Sequence, residues 1–326
     1  MLGIPVTLDL LQKRTEKLAE RRRFFRKSGG FAVGMAGGAI LAACGGGGSD
    51  AIGQATPNNG GPSDIDILNF ALNLEYLEAQ FYQYAVFGKG LPDSDLAGTG
   101  RRGVVRGGHA VPFKDPVVAQ YAREIAKDES DHVRFLRKAL GSAAVAQPDI
   151  DVSADMNGAF SSAARAAGLI KAGEAFDPYA SDEAFLFGAF IFEDVGVTAY
   201  KGAAPLISNK TYLEAAAGIL AAEAYHAGLV RTVLYAKGIE TPSLRSGADA
   251  ISNARDTLDA GTDVDQGITG TADTSNIVPL DGDGIAYSRS PGDVLNIVYL
   301  NPGAVDKGGF FPNGVNGTLN LSSAFA

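Results

Sequence analysis

The chain has 326 residues, 46% hydrophobic content and a formal charge of −9, enough apolar material for a packed core in one large or two small domains. Residues 1–43 hold eight basic and three acidic residues, so the remainder carries −14, which argues against nucleic acid as a partner because that affinity rests on Lys and Arg at phosphates. The single cysteine, Cys44, excludes an intrachain disulfide.

The N-terminus reads as an address. Arg22-Arg23-Phe24-Phe25-Arg26-Lys27 precedes a Gly/Ala-rich run from Phe31 to Ala43, too short and glycine-rich to span a bilayer but suited to a signal-peptide core. The charged stretch resembles a twin-arginine export signal, and Leu41-Ala42-Ala43-Cys44 resembles a bacterial lipobox. These resemblances imply a removable signal at 1–43, a lipid anchor on Cys44, the twin-arginine machinery as a partner, and a location in the periplasm or cell envelope. That export route carries folded cargo, often with a metal already loaded. Residues 44–62 form a Gly/Asn/Ser/Pro tract expected to be a flexible tether.

Four long helices follow. Ser63 caps the first, with Asp64 and Asp66 in its first turn, and Gly88 ends it after Phe87. A Gly-rich loop carries Arg101, Arg102 and Arg106, expected to be solvated, and an exposed His109. Asp115-Pro116 opens the second helix, which runs to Leu140. A connection of about 40 residues, with a short helix near Met156 to Ala167, leads to the third helix, from Ser181 to Ala203. The fourth begins at Asn209 or Thr211 and stops at Gly238. Such lengths and a long central connection predict an all-α, four-helix bundle with a crossover over 63–238. Residues 239–326 show little periodicity and are expected to be an irregular arm packed on the bundle, with one short helix at Gly292–Leu300 capped by Ser290. Asp281-Gly282-Asp283-Gly284 reads as a turn, since the twelfth position of a calcium loop would be Gly292 instead of Glu.

The bundle repeats itself. Glu129-Ser130-Asp131-His132 recurs 94 residues later as Glu223-Ala224-Tyr225-His226, and residues three apart on a helix lie about 60° apart around its axis, so each Glu shares a face with its His. The preceding helix of each half carries a Glu followed seven residues on by a Tyr, Glu75 with Tyr82 and Glu193 with Tyr200. Four buried carboxylates left bare would repel and protonate. Two divalent cations neutralise them, and a carboxylate and imidazole donor set suits iron, manganese or zinc.

With the six donors in view, residues 63–238 resemble the ferritin-like superfamily, and the whole chain resembles bacterial ferritin-like domain proteins related to plant desiccation-related proteins. The resemblance implies two iron or manganese ions, Glu75 and Glu193 as terminal ligands, Glu129 and Glu223 as bridges, and one histidine, His132 or His226, on each metal. Tyr82 and Tyr200 would stand behind the ligands or serve as core tyrosines, and Glu78, one turn past Glu75, is an alternative ligand. Superfamily members often place an Asp before the Glu of Glu-x-x-His to orient the opposite histidine. Asp128 fits that place for His226, whereas the equivalent for His132 is Ala222. The expected function is metal binding with peroxide or oxygen redox chemistry in envelope stress protection. The alternatives are a manganese-catalase-like enzyme and a non-enzymatic desiccation-related bundle. A homodimer is compatible with a lipid anchor; a 24-subunit cage is not expected.

Overall fold

The computed structural model describes residues 61–259 and 263–324. The expected signal at 1–43, Cys44 and the tether as far as residue 60 lie outside the described residues.

Helix α1, Asp64–Phe87, starts in a capping box: Ser63 Oγ accepts from Asp66 N at 3.2 Å, and the Asp66 carboxylate accepts from Ser63 N at 2.9 Å. Gly88 ends it at φ 67°, a left-handed conformation that glycine adopts without steric cost. Helix α2, Pro116–Leu140, is capped by the Asp115 carboxylate, which accepts from Val117 N at 2.9 Å. After the short α3, Ala159–Ala166, come α4, Asp182–Ala203, capped by Ser181, and α5, Lys210–Lys237, capped by Asn209. Helix α1 packs along α2, α4 packs along α5, and α1 meets α4. The result is an all-α, ferritin-like bundle.

The two inner helices, α1 and α4, are buried on nearly every side. Asn73, Glu75, Gln80 and Glu193 are all 1% exposed or less. The outer face of α2, by contrast, is charged through Arg123, Glu124, Lys127 and Arg134. The crossover between α2 and α4 is tied to the first loop by a short parallel pair, β1 (Val105–Arg106) with β2 (Ile150–Asp151). No helix among the described residues is long and apolar enough to cross a membrane.

Three expectations need correction or refinement. The arm holds a second helix, α6, at Ser243–Asp256, besides α7 at Pro291–Tyr299. Leu244, Ala248, Ile251 and Arg255 make its buried stripe against the bundle, a face built of so few large apolar residues that its period is faint. The crossover helix starts at Ala159, later than expected. Arg101, Arg102 and Arg106 are exposed, but each faces an acid: Asp149, Asp93, and Asp151 at 3.9 Å. The Asp281 turn is as read, its Oδ1 accepting from Asp283 N and Ile285 N at 2.9 Å.

The arm is part of the core. Phe310 meets Phe192 and Phe160 edge-on, with ring centroids 4.8 and 5.1 Å apart. Asn316 and Asn73 exchange two hydrogen bonds, of 3.0 and 2.8 Å. Arginines and aspartates then alternate in a buried chain from bundle to arm. Asp194 takes Arg231 at 2.7 Å and Arg255 at 2.9 Å, Arg255 reaches Asp265 at 2.7 Å, and Arg289 joins Asp265 to Asp259. Three charges of each sign leave the chain neutral. Removing one partner strands a buried charge, at a cost of about 3–5 kcal/mol.

Candidate metal centre

The helical period delivers the six predicted donors to one place midway along the bundle. Glu75 comes from α1, Glu129 and His132 from α2, Glu193 from α4, and Glu223 and His226 from α5. His132 Nδ1 lies 3.2 Å from Glu75 Oε2, 3.5 Å from Glu129 Oε2 and 3.7 Å from Glu223 Oε1. His226 Nδ1 lies 3.0 Å from Glu129 Oε1 and 3.6 Å from Glu193 Oε2. The donors thus fall into two groups, Glu75–Glu129–His132–Glu223 and Glu129–Glu193–His226, each with its ligand atoms within 4.8 Å of one another. Glu129 belongs to both, with one oxygen toward each histidine. Glu223 falls in the first group alone.

The atoms have no other use. Both oxygens of Glu129 and of Glu223, Glu193 Oε2 and His226 Nδ1 are buried with no partner outside the cluster itself, a condition that costs free energy in a packed interior. A pair of divalent cations would satisfy all of them, so the residues present fit the metals that the donor set implies.

The supporting groups are where the sequence put them, in a crossed arrangement. The Tyr82 hydroxyl on α1 donates to Glu193 on α4, and the Tyr200 hydroxyl on α4 donates to Glu75 on α1. His226 Nε2 is 3.4 Å from Asp128 Oδ2, which fixes the tautomer that turns Nδ1 inward. His132 has Ala222 in the matching place, and its side chain keeps 13% exposure against 7% for His226. His109 stays outside the centre, exposed, 3.0 Å from Asp177.

Without metal the cluster binds protons. Burial pushes Glu75 up to about 7 and Glu193 up to about 8, and raises Glu223 well above the usual carboxylate range. Burial acts the same way on Glu129, but hydrogen bonds and charge from both imidazoles outweigh it and hold that carboxyl low. Burial opposes the imidazolium forms; the facing carboxylates overcome it and raise His132 to about 11 and His226 to about 9.

Two features were missed or only half seen in the sequence. Glu78 is a fifth buried carboxylate beside the six donors, 5% exposed, in addition to Glu75 and not in its place. Aligning the two halves sets Glu78 against Gly196. A Cβ on Gly196 would come within 2.3 Å of Glu223 Oε2 and 3.3 Å of Glu78 Oε1, so the glycine leaves room for both carboxylates. The arginines eight residues beyond each motif Glu clamp the residue that follows the other Glu of their half. Arg137 Nη1 donates to Tyr76 Oη at 2.6 Å, and Arg231 Nη1 to Asp194 Oδ2 at 2.7 Å. Asp256, Asp259 and Asp265 also cluster, but Arg255 and Arg289 already neutralise two of them.

A duplicated helix pair, a long crossover and Glu plus Glu-x-x-His from each half decide the kinship. The chain belongs to the ferritin-like family. The ferritin-like domain model matches residues 63–236. The chain is similar to the ferritin-like catalase Nec2 of Nesocodon mauritianus, 28% identical over 273 residues, which cover 79% of this chain and 85% of that protein. It is also similar to the desiccation-related protein PCC13-62 of Craterostigma plantagineum, 32% identical over 186 residues and 55% of each chain. The first likeness is longer than the ferritin-like domain itself, so it extends beyond the bundle. No solved structure gives a significant match.

Proposed function

We propose that this is an exported, lipid-anchored ferritin-like protein that holds two iron or manganese ions and turns over peroxide. The observation that carries the reading is the convergence of six donors, five of them buried, with atoms of Glu129, Glu193, Glu223 and His226 that find no partner outside the cluster. Glu75, Glu129, His132 and Glu223 would hold one ion, and Glu129, Glu193 and His226 the other. When bound, such a pair supplies the electrons for two-electron chemistry at an O–O bond.

The chain's own residues supply position and dryness. Glu129 links the two groups and fixes their separation. The Tyr82 and Tyr200 hydroxyls orient Glu193 and Glu75 across the halves, so that neither carboxylate rotates away. Asp128 orients His226. Every carboxylate donor is 1% exposed or less, which excludes bulk water and strengthens each electrostatic contact. Peroxide as the substrate is supported by the likeness to a protein named a ferritin-like catalase.

Elemental analysis of the full chain purified from the envelope, followed by a peroxide-disappearance and oxygen-evolution assay on the same sample, tests the reading. Two equivalents of metal with metal-dependent oxygen evolution is the expected result; less than one equivalent, unchanged in Glu129→Ala, sinks it. The likeness to a desiccation-related protein favours a second reading, a protective bundle without turnover. Metal removal that leaves both melting temperature and protection of a dried partner enzyme unchanged would select it. Export is tested separately: Cys44→Ala should abolish lipid labelling, and replacing Arg22 and Arg23 with Lys should retain the chain inside the cell.

A further inference from the structure

A small cavity lies beside the metal centre, on the side away from the histidines. The imidazoles come from α2 and α5; the cavity is enclosed by α1, α4 and the arm, through Leu77, Phe192, Val195, Ile297 and Phe310. Each of these side chains is 4% exposed or less. Its free space is about 20 Å³, above the roughly 10–15 Å³ that a single water requires. Glu78 is its one polar lining side chain, and Gly196 completes the wall. At Gly196 no side chain stands between the cavity and the donors, since a Cβ there would lie 2.3 Å from Glu223 Oε2.

The chemistry of that lining selects its occupant. Buried water needs about three hydrogen-bond partners, and one carboxylate beside hydrocarbon walls supplies too few. Hydrogen peroxide, with two donors to satisfy, would forfeit hydrogen bonds for the same reason. A charged ligand is excluded by the apolar walls and the neighbouring carboxylates. What remains is a small, uncharged, weakly hydrated diatomic.

We propose that this arm-enclosed cavity is a holding site for dioxygen at the metal centre. The inference rests on the function proposed above, in which dioxygen is the product of peroxide turnover at the centre. The arm then has a role beyond packing, because Ile297 and Phe310 form the cavity's far wall. Polar peroxide would approach instead by the His132 edge, which keeps solvent exposure where Ala222 provides no carboxylate.

Crystals of the full chain under xenon pressure, together with the anaerobic iron-loaded protein mixed with dioxygen, test the proposal. The expected result is xenon in contact with Phe310 and Glu78, and loss of that xenon in Ile297→Phe and, independently, in Val195→Phe. Either filled variant that folds and keeps two equivalents of iron should be oxidised by dioxygen at least 10-fold more slowly than the unaltered chain. Xenon absent from the cavity, or oxidation at an unchanged rate in a filled variant, overturns the proposal and leaves the metal reading intact. A chain that seats xenon but retains no metal overturns the metal reading, and the dioxygen role with it.

Discussion

The two halves of the bundle share a plan and differ in its supports. In the first half Asp128 backs a histidine, Glu78 adds a carboxylate, and a partly exposed Arg137 holds a tyrosine hydroxyl. In the second, Ala222 and Gly196 occupy the matching positions, and a buried Arg231 holds Asp194, the first link of an ionic chain into the arm. The donors and the two crossed tyrosines are retained in both halves, while the other groups around them have diverged. The two donor groups are therefore chemically unequal, and the second half is tied to the arm by an ionic chain that the first lacks.

Four substitutions and one condition break or sharpen that contrast. The largest effect belongs to the element the halves share: Glu129→Ala removes the carboxylate common to both groups, and metal content should fall from two equivalents to less than one by elemental analysis. Next, Arg231→Met should lower unfolding free energy by about 3–5 kcal/mol, because Asp194 loses a buried counter-charge. Arg137→Met should cost about 1–2 kcal/mol, the scale of its two partly exposed hydrogen bonds to Tyr76 Oη and Ala97 O; equal effects in denaturant unfolding would remove the contrast between the halves.

Ala222→Asp gives His132 the support that Asp128 gives His226. Calorimetric titration should then show the weaker of two unequal sites tightening about 10-fold, the low end for a partner that orients a ligand. The condition is pH, whose effect has opposite signs on metal-free stability and on metal affinity. In the metal-free protein Glu75, Glu193, His132 and His226 are all raised above their unfolded values, to about 7, 8, 11 and 9. The folded state thus binds more protons than the unfolded one between about pH 5 and 9, and its stability declines as pH rises through that window. Metal uptake must expel those protons, so affinity rises with pH over the same range. Melting temperatures of the metal-free protein at pH 5.5 and 8.5, with proton release measured during loading, check both signs.

Much of this was legible in the residues. Caps at Ser63 and Asp115, stops at Gly88 and Gly238, and the spacing within each Glu-x-x-His specify the helices and their inward faces locally, and the six donors follow from those faces. Other features depend on contacts that no local spacing records. Asp194 and Arg255 are 61 residues apart, and Arg289 reaches Thr198 across 91; charges paired at that separation leave no period to read. Helix α6 was hidden by its small side chains. Glu78 was visible as a candidate, but its place beside Gly196 emerges only when one half is laid on the other.

The pairing of Asn316 with Asn73, two residues before Glu75, and the seating of Phe310 on Phe192, next to Glu193, also set an order of events. A stretch made late in synthesis thus completes the packing around residues made earlier. A nascent chain halted before residue 310 has its donors but lacks the wall behind them. Ion capture should therefore wait until residues 310–316 have been made.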